Sequence, residues 1–322
     1  MVDFKKLKKS SGDLTKLSEK LDKLNKPAET ASYSDDRFWQ PEVDKSGNGY
    51  AVIRFLPAAP VDGDDGLPWV SYFHHSFQGP SGSWYIEKSL TTLGQKDPVS
   101  EYNTKLWNTG LESDKEIARK QKRKLSYVSN IYVIDDPKHP ENNGKVFLFR
   151  YGKKIFEKIE ETINPKTHDE DGNPIPGEEN KEGVNPFDLW TGVNCKLKIR
   201  TVDRTASNPN GFRNYDKTEF AVYDGDGKVI NKSSLLPDDM ELERIWNSEY
   251  SLKEFIDTKS FKSYEELSKR FNLVLTGNSD TVEEDHDDSP VDTSDNDGET
   301  IENSPVVEET DEDLDYFRKL AV

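Results

Sequence analysis

The sequence predicts a mixed α/β chain, mainly β, whose folded middle lies between a basic N-terminal arm and an acidic C-terminal tail. Three observations predict it. Short alternating apolar runs recur through residues 45–275, separated by turn residues. Apolar residues make up only 32% of the 322-residue chain against 33% charged, too thin for one uniform globule, yet 34 aromatic side chains survive. The charge is also uneven: residues 280–322 hold 17 Asp and Glu against Arg318 and Lys319, a net of −15 out of −18. About −3 is left on the other 279 residues, so the overall acidity says little about what the folded part binds.

The elements follow in order. Residues 1–30 form an amphipathic arm, with Leu7, Leu14, Leu17, Leu21 and Leu24 at helical spacing and eight lysines among the first 26 residues. A solvated helix that frays alone is the other reading of this segment. Residues 50–56 make a strand that ends at Pro57; 69–77 and 84–88 flank Gly79-Pro80-Ser81-Gly82 as a hairpin. Residues 126–134 make a strand that stops at Asp135-Asp136-Pro137. In 145–151, Phe147, Phe149 and Tyr151 share one face, and Val146, Leu148 and Arg150 the other. In 193–201, Lys196, Lys198 and Arg200 oppose Cys195, Leu197 and Ile199.

Helices are fewer. Ile155, Phe156, Ile159 and Ile163 define one over 154–163, and Ser263 with Glu266 forms a capping box for another to about 275. Residues 166–185 read as an exposed loop, and the sequence beyond Gly277 as disordered, acidic and Ser/Thr-rich. Asp224-Gly225-Asp226-Gly227 is a hairpin turn. Five or more short strands with turn signals favour a small barrel or sandwich, of which the oligonucleotide-binding barrel is one form.

Several classes of function are disfavoured. The single cysteine, Cys195, allows no internal disulfide and no Cys-rich zinc site, which fits a reducing cytosol. No apolar run is long enough to span a bilayer, and the lysine-rich N-terminus lacks a signal-peptide core; the expected location is the cytoplasm, with no membrane contact. His74 and His75 point to opposite faces of one strand. Asp169, Asp171 and Asn173 begin like a calcium loop, but Pro174 and Asn180 break it. No phosphate loop, nucleophile elbow or His-Glu-x-x-His is present, so no catalytic residue is assigned. A metal-dependent nuclease built from scattered carboxylates stays open as a minor alternative.

What the sequence does offer is cations interleaved with aromatics, the pairing that neutralises phosphates while stacking on unpaired bases. Arg119-Lys120-Gln121-Lys122-Arg123-Lys124 runs into Tyr127, just downstream of Trp107. Phe147, Phe149, Arg150 and Tyr151 are followed by Lys153 and Lys154, and Phe212-Arg213-Asn214-Tyr215 repeats the pattern near a turn. A helix end, core aromatics and a plain hairpin are the respective structural alternatives. The stacking set is Trp107, Tyr127, Phe149, Tyr151, Phe212 and Tyr215; the phosphate set is Arg54, Lys122, Arg123, Lys124, Arg150, Lys153 and Lys154. An acidic protein-interaction scaffold is the competing reading, and leaves these pairings without a purpose.

Ordered pieces along most of the chain resemble the replication single-stranded DNA-binding (helix-destabilising) proteins of T-even-like bacteriophages. They are Gly47-Asn48-Gly49 into Ala51-Val52-Ile53-Arg54-Phe55-Leu56-Pro57, Trp84-Tyr85-Ile86-Glu87, Leu106-Trp107-Asn108-Thr109, and Lys122-Arg123-Lys124 before Ser126-Tyr127. Asp136-Pro137, Pro140-Glu141-Asn142, Gly144-Lys145-Val146-Phe147, Gly152-Lys153-Lys154-Ile155, Asn214-Tyr215-Asp216 and Phe261-Lys262-Ser263-Tyr264-Glu265-Glu266-Leu267 complete the series.

The resemblance implies an OB-fold-like barrel core over 31–276 that binds single-stranded DNA cooperatively in phage replication, recombination and repair, in the infected host cell. It implies that arm 1–30 drives self-association along DNA through a basic-Ser/Thr motif, matched by Lys8, Lys9, Ser10 and Ser11, with a similar element at Lys122-Arg123-Lys124-Leu125-Ser126. It implies that tail 277–322 contacts replication and recombination proteins and competes with DNA for the basic surface, as about 15 tethered negative charges can. Better-known members of that family carry zinc on one histidine and three cysteines. His75 matches the histidine, but Ser89, Asp97 and Ser100 stand at the cysteine positions. Serine hydroxyls are poor zinc ligands, so no zinc or other cofactor is expected, and packing around Trp84, Tyr85 and Leu93 is expected to hold that region. Val128 stands where the family has a tryptophan.

Overall fold

Alternation and turn chemistry produce seven antiparallel strands in the computed structural model, which describes residues 35–169, 172–202 and 211–277. Arm residues Lys8, Lys9, Ser10 and Ser11 and the acidic tail lie outside the described residues. The strands are β1 (Gly49–Phe55), β2 (Val70–Gln78), β3 (Trp84–Lys88), β4 (Lys124–Asp135), β5 (Val146–Tyr151), β6 (Cys195–Val202) and β7 (Phe212–Asn214). They form one sheet in the order β3-β2-β4-β1-β6-β7, with β5 paired to β4. Long β4 is the organiser. Its residues 127–132 pair with β5 along one edge, while β2 (at 124–128) and then β1 (at 131–135) share the other. Two strands in succession on one edge bend the sheet into a curled half-barrel.

Period-two patterning decides what fills it. Ala51, Ile53 and Phe55 of β1, Tyr127, Ile131 and Val133 of β4, Phe149 and Tyr151 of β5, and Cys195, Leu197 and Ile199 of β6 share one buried cluster. Helix α3 (Lys153–Ile163) closes it with Ile155 and Ile159, as its spacing predicts. The reverse face buries Val70, Tyr72, Val128, Leu148 and Leu252 in a second cluster. Val128, in the place of the resembling family's tryptophan, is therefore a packing residue.

Beyond the far end of β2 lies a smaller core. Phe77, Tyr85, Leu90 and Val99 pack with Leu267, Phe271 and Val274 of α5 (Tyr264–Thr276), and Leu93 lies against them. Tyr85 and Leu93 thus pack as expected, whereas Trp84 projects from the opposite face of β3 and is 45% exposed. The capping box is present, with reciprocal Ser263–Glu266 bonds.

Three helices were not predicted: α1 (Pro98–Asn108), α2 (Glu112–Lys120) and α4 (Asp239–Trp246). Each of α1 and α4 starts at an aspartate whose side chain accepts backbone N–H bonds, Asp97 and Asp238. Among the described residues, no helix is long and apolar enough to cross a membrane.

Candidate nucleic-acid interface

The predicted site residues divide sharply by burial. Arg54 is 0% exposed and cannot meet a phosphate. Its guanidinium donates to Asn194 Oδ1 (2.7 Å), the Asp188 carbonyl (2.9 Å) and the Ser233 carbonyl (3.1 Å), and tight backbone at Gly192 makes room for it. Burial lowers its pKa to about 10, against the opposing pull of Asp188. Arg54 is a structural tie between β1 and the 188–194 and 233 segments, which corrects the expectation of a DNA contact.

Three predicted stacking residues are likewise core. Phe149 is wedged against Trp39 and Phe55, and the Tyr151 hydroxyl bonds Ser129 Oγ at 2.9 Å in full burial. Tyr127 has both faces covered: Phe156 lies 4.0 Å away and nearly parallel, with Tyr151 on the other side at 5.8 Å. A ring already sandwiched has no face to offer a base. Strand alternation located these aromatics on one face; α3, which covers that face, decided their role.

The accessible aromatics lie one strand over. Trp69, Ser71 and Phe73 share the α3-facing side of β2, and Trp69 and Phe73 are half-buried. Trp69 meets Phe156 edge-on at 5.5 Å and stacks on buried Phe187 at 5.5 Å, and Phe156 has one face on Tyr127, so Trp69, Phe73 and Phe156 are each half-buried with part of the ring accessible. Arg123 lies over the Phe73 ring, its Cζ 4.1 Å from the centroid. Trp69 and Phe73 were not singled out from sequence, and Phe156 was read only as part of its helix's apolar face; the period of 69–77 puts Trp69 and Phe73 on one side, but nothing in that period shows the side left open.

Half-buried Trp107, at the end of α1, has Lys115 Nζ 5.6 Å and Arg119 Cζ 5.5 Å from its ring. Glu112 shares Arg119 at 2.6 Å. Lys122, Lys153 and Lys154 are exposed, the last two in the first turn of α3, beside Phe156. Lys124 and Arg150 belong to the opposite face of the sheet: they adjoin buried His74, whose pKa burial and these two cations lower to about 3. The predicted phosphate set is therefore split, with Arg123 on one face and Lys124 and Arg150 on the other. Phe212 and Tyr215 are half-buried at the sheet's β7 end, Tyr215 leaning on the main cluster.

The sequence matches the family described as "gp32 DNA binding protein like" over residues 47–275. It is 35% identical over 253 residues to the single-stranded DNA-binding protein of Enterobacteria phage T2, and equally to that of Enterobacteria phage T4, covering 76% of this chain and 72% of each relative. A 100-residue stretch is 40% identical to the single-stranded DNA-binding protein of Enterobacteria phage RB70, covering 30% of this chain and 79% of that relative.

Proposed function

The chain belongs to the gp32-like family of DNA-binding proteins, and from that premise we propose that it binds single-stranded DNA without regard to sequence, in phage replication and without catalysis. The observation that carries this reading is the group of half-buried aromatics Trp69, Phe73 and Phe156 on the α3-facing side of the sheet, with Arg123 over the Phe73 ring. Stacking of bases on such rings is worth about 1–3 kcal/mol each and tolerates any base. Trp107, with Lys115 and Arg119, extends the same chemistry.

Helix α3 supports it from a second direction. Its first turn holds Lys153 and Lys154 and no acid, and Gly152 supplies no side-chain cap. Two cations at a helix N-terminus oppose the helix's own dipole, a local cost that makes sense beside a bound phosphate. Lys122 joins this phosphate set; Lys124 and Arg150 add positive potential from the reverse face, and Phe212 and Tyr215 are secondary stacking candidates. The curled sheet is taken as an OB-type barrel. The arm, through Lys8, Lys9, Ser10 and Ser11, is assigned to self-association along DNA, and the acidic tail to protein partners in replication, recombination and repair, in the cytoplasm of the infected cell.

Phe73→Ala tests this reading. Its affinity for a short oligothymidine should fall by about 1–3 kcal/mol in fluorescence anisotropy, with thermal stability little changed. Tyr127→Ala should instead lower the melting temperature, because it opens the core. Undiminished affinity in Phe73→Ala would remove Phe73 from the binding surface.

A further inference from the structure

The smaller core contains a buried polar junction. Asp97 caps α1, its Oδ1 accepting from the backbone N–H groups of Val99 (3.1 Å) and Ser100 (3.0 Å). Its Oδ2 accepts from Ser89 Oγ (3.0 Å) and the Leu90 N–H (3.2 Å). His75 of β2 completes it, Nε2 lying 3.2 Å from Asp97 Oδ1, with the two side chains 1% and 0% exposed. On its other side, His75 Nδ1 is 2.9 Å from the carbonyl of Gln121, the residue that ends α2, and that carbonyl also accepts from Asn103 of α1. One imidazole thus joins the start of α1 to the end of α2.

Proton accounting makes the junction specific. A carbonyl only accepts, so Nδ1 carries a proton. Asp97 pays a burial penalty, yet His75 and the surrounding donors outweigh it and bring its pKa down to about 2.

These are the positions at which the resembling family carries zinc, and the donors do not fit that ion. His75 Nδ1 is taken by the Gln121 carbonyl, Nε2 lies 3.2 Å from Asp97 Oδ1 without a well-aligned hydrogen bond, the Ser89 hydroxyl is committed to Asp97 and Thr91, and neutral hydroxyls are weak zinc ligands. Among the described residues, no three His, Cys, Asp or Glu side chains converge to hold a metal. The expectation that packing alone holds this region also needs correcting.

We propose that the His75–Asp97 pair does in this chain what a metal would do: it locks the α1–α2 hairpin to β2, fixing the contact of Arg119 with Trp107 on that hairpin and, just beyond it, the placement of Arg123 over Phe73. Its DNA consequence rests on the function proposed above, but its structural consequence is independent of it.

The test uses the full chain. Elemental analysis should find no stoichiometric zinc, and chelator should leave melting temperature and oligothymidine affinity unchanged. Long-range proton–nitrogen NMR should show the His75 Nδ1 protonated. Asp97→Asn, which keeps the cap's size, should speed amide exchange across 98–120 while β1, β5 and β6 stay protected, and lower oligothymidine affinity about tenfold, the size of one lost stacking contact. Stoichiometric zinc, a bare Nδ1, or unchanged exchange in 98–120 would each overturn the proposal. If the unmodified chain fails to bind oligothymidine, the DNA reading falls, while the exchange result still decides the junction.

Discussion

Individual residues behave as their burial dictates, and two make sharp predictions. Arg54→Met removes four donated bonds and leaves the acceptors of Asn194, Asp188 and Ser233 without their partner. Such a loss costs about 1–3 kcal/mol per unsatisfied group, so chemical denaturation should show strong destabilisation. Glu249 is the second. It is buried, and neither carboxylate oxygen has a hydrogen-bond partner among the described residues. Burial, then the nearby Asp62 carboxylate, raises its pKa from 4.5 to about 9. Between those values the folded chain holds a proton that the unfolded chain has released. Its stabilising contribution is thus whole below 4.5 and lost as pH rises towards 9, by at most about 1.4 kcal/mol per pH unit. Glu249→Gln should therefore be more stable than the parent at pH 8, with the advantage shrinking towards pH 5. An equal difference in urea midpoints at both pH values would contradict this.

Helix α3 is where element and function meet. Ile155 and Ile159 bury one stripe and Phe156 shields Tyr127, while Lys153 and Lys154 occupy a first turn that favours acids. Replacing both lysines by glutamate should stabilise the helix slightly, yet weaken binding and flatten the salt dependence by about 0.7 log units per lost phosphate contact. An unchanged slope in a salt titration would separate α3 from the phosphates. The strands and α3 were legible because alternation and apolar spacing are local signals. Helices α1 and α2 were not: Asp97-Pro98 is an N-terminal helix signal, but it stood where a metal knuckle is expected, and α2 is short with six of its nine residues charged. Alternation also showed that Phe149 and Tyr151 share a face with one another. Which face is covered depends on α3 and the rings of Trp39 and Phe55 packing over it, a tertiary fact, and so Tyr127 and Phe149 were read as open while Phe73 was passed over.

At the scale of the whole molecule, charge is segregated. A net of −18 is concentrated as −15 in residues 280–322, leaving a nearly neutral remainder with local basic strips around Trp107, Arg123 and α3. A tethered polyanion competes with DNA for such strips at high effective concentration, so a chain ending at Gly277 should bind single strands more tightly than the full chain. Loss of residues 1–26 should remove cooperativity on long strands while sparing short-oligonucleotide affinity. The most direct measurement is fluorescence anisotropy of a labelled oligothymidine of about ten nucleotides, within the usual reach of one such domain, titrated with the full chain across a salt series with duplex as competitor. Tight binding that weakens steeply with salt, and that duplex barely displaces, is the predicted result. Absence of binding even at low salt, or equal displacement by duplex, would contradict single-strand recognition.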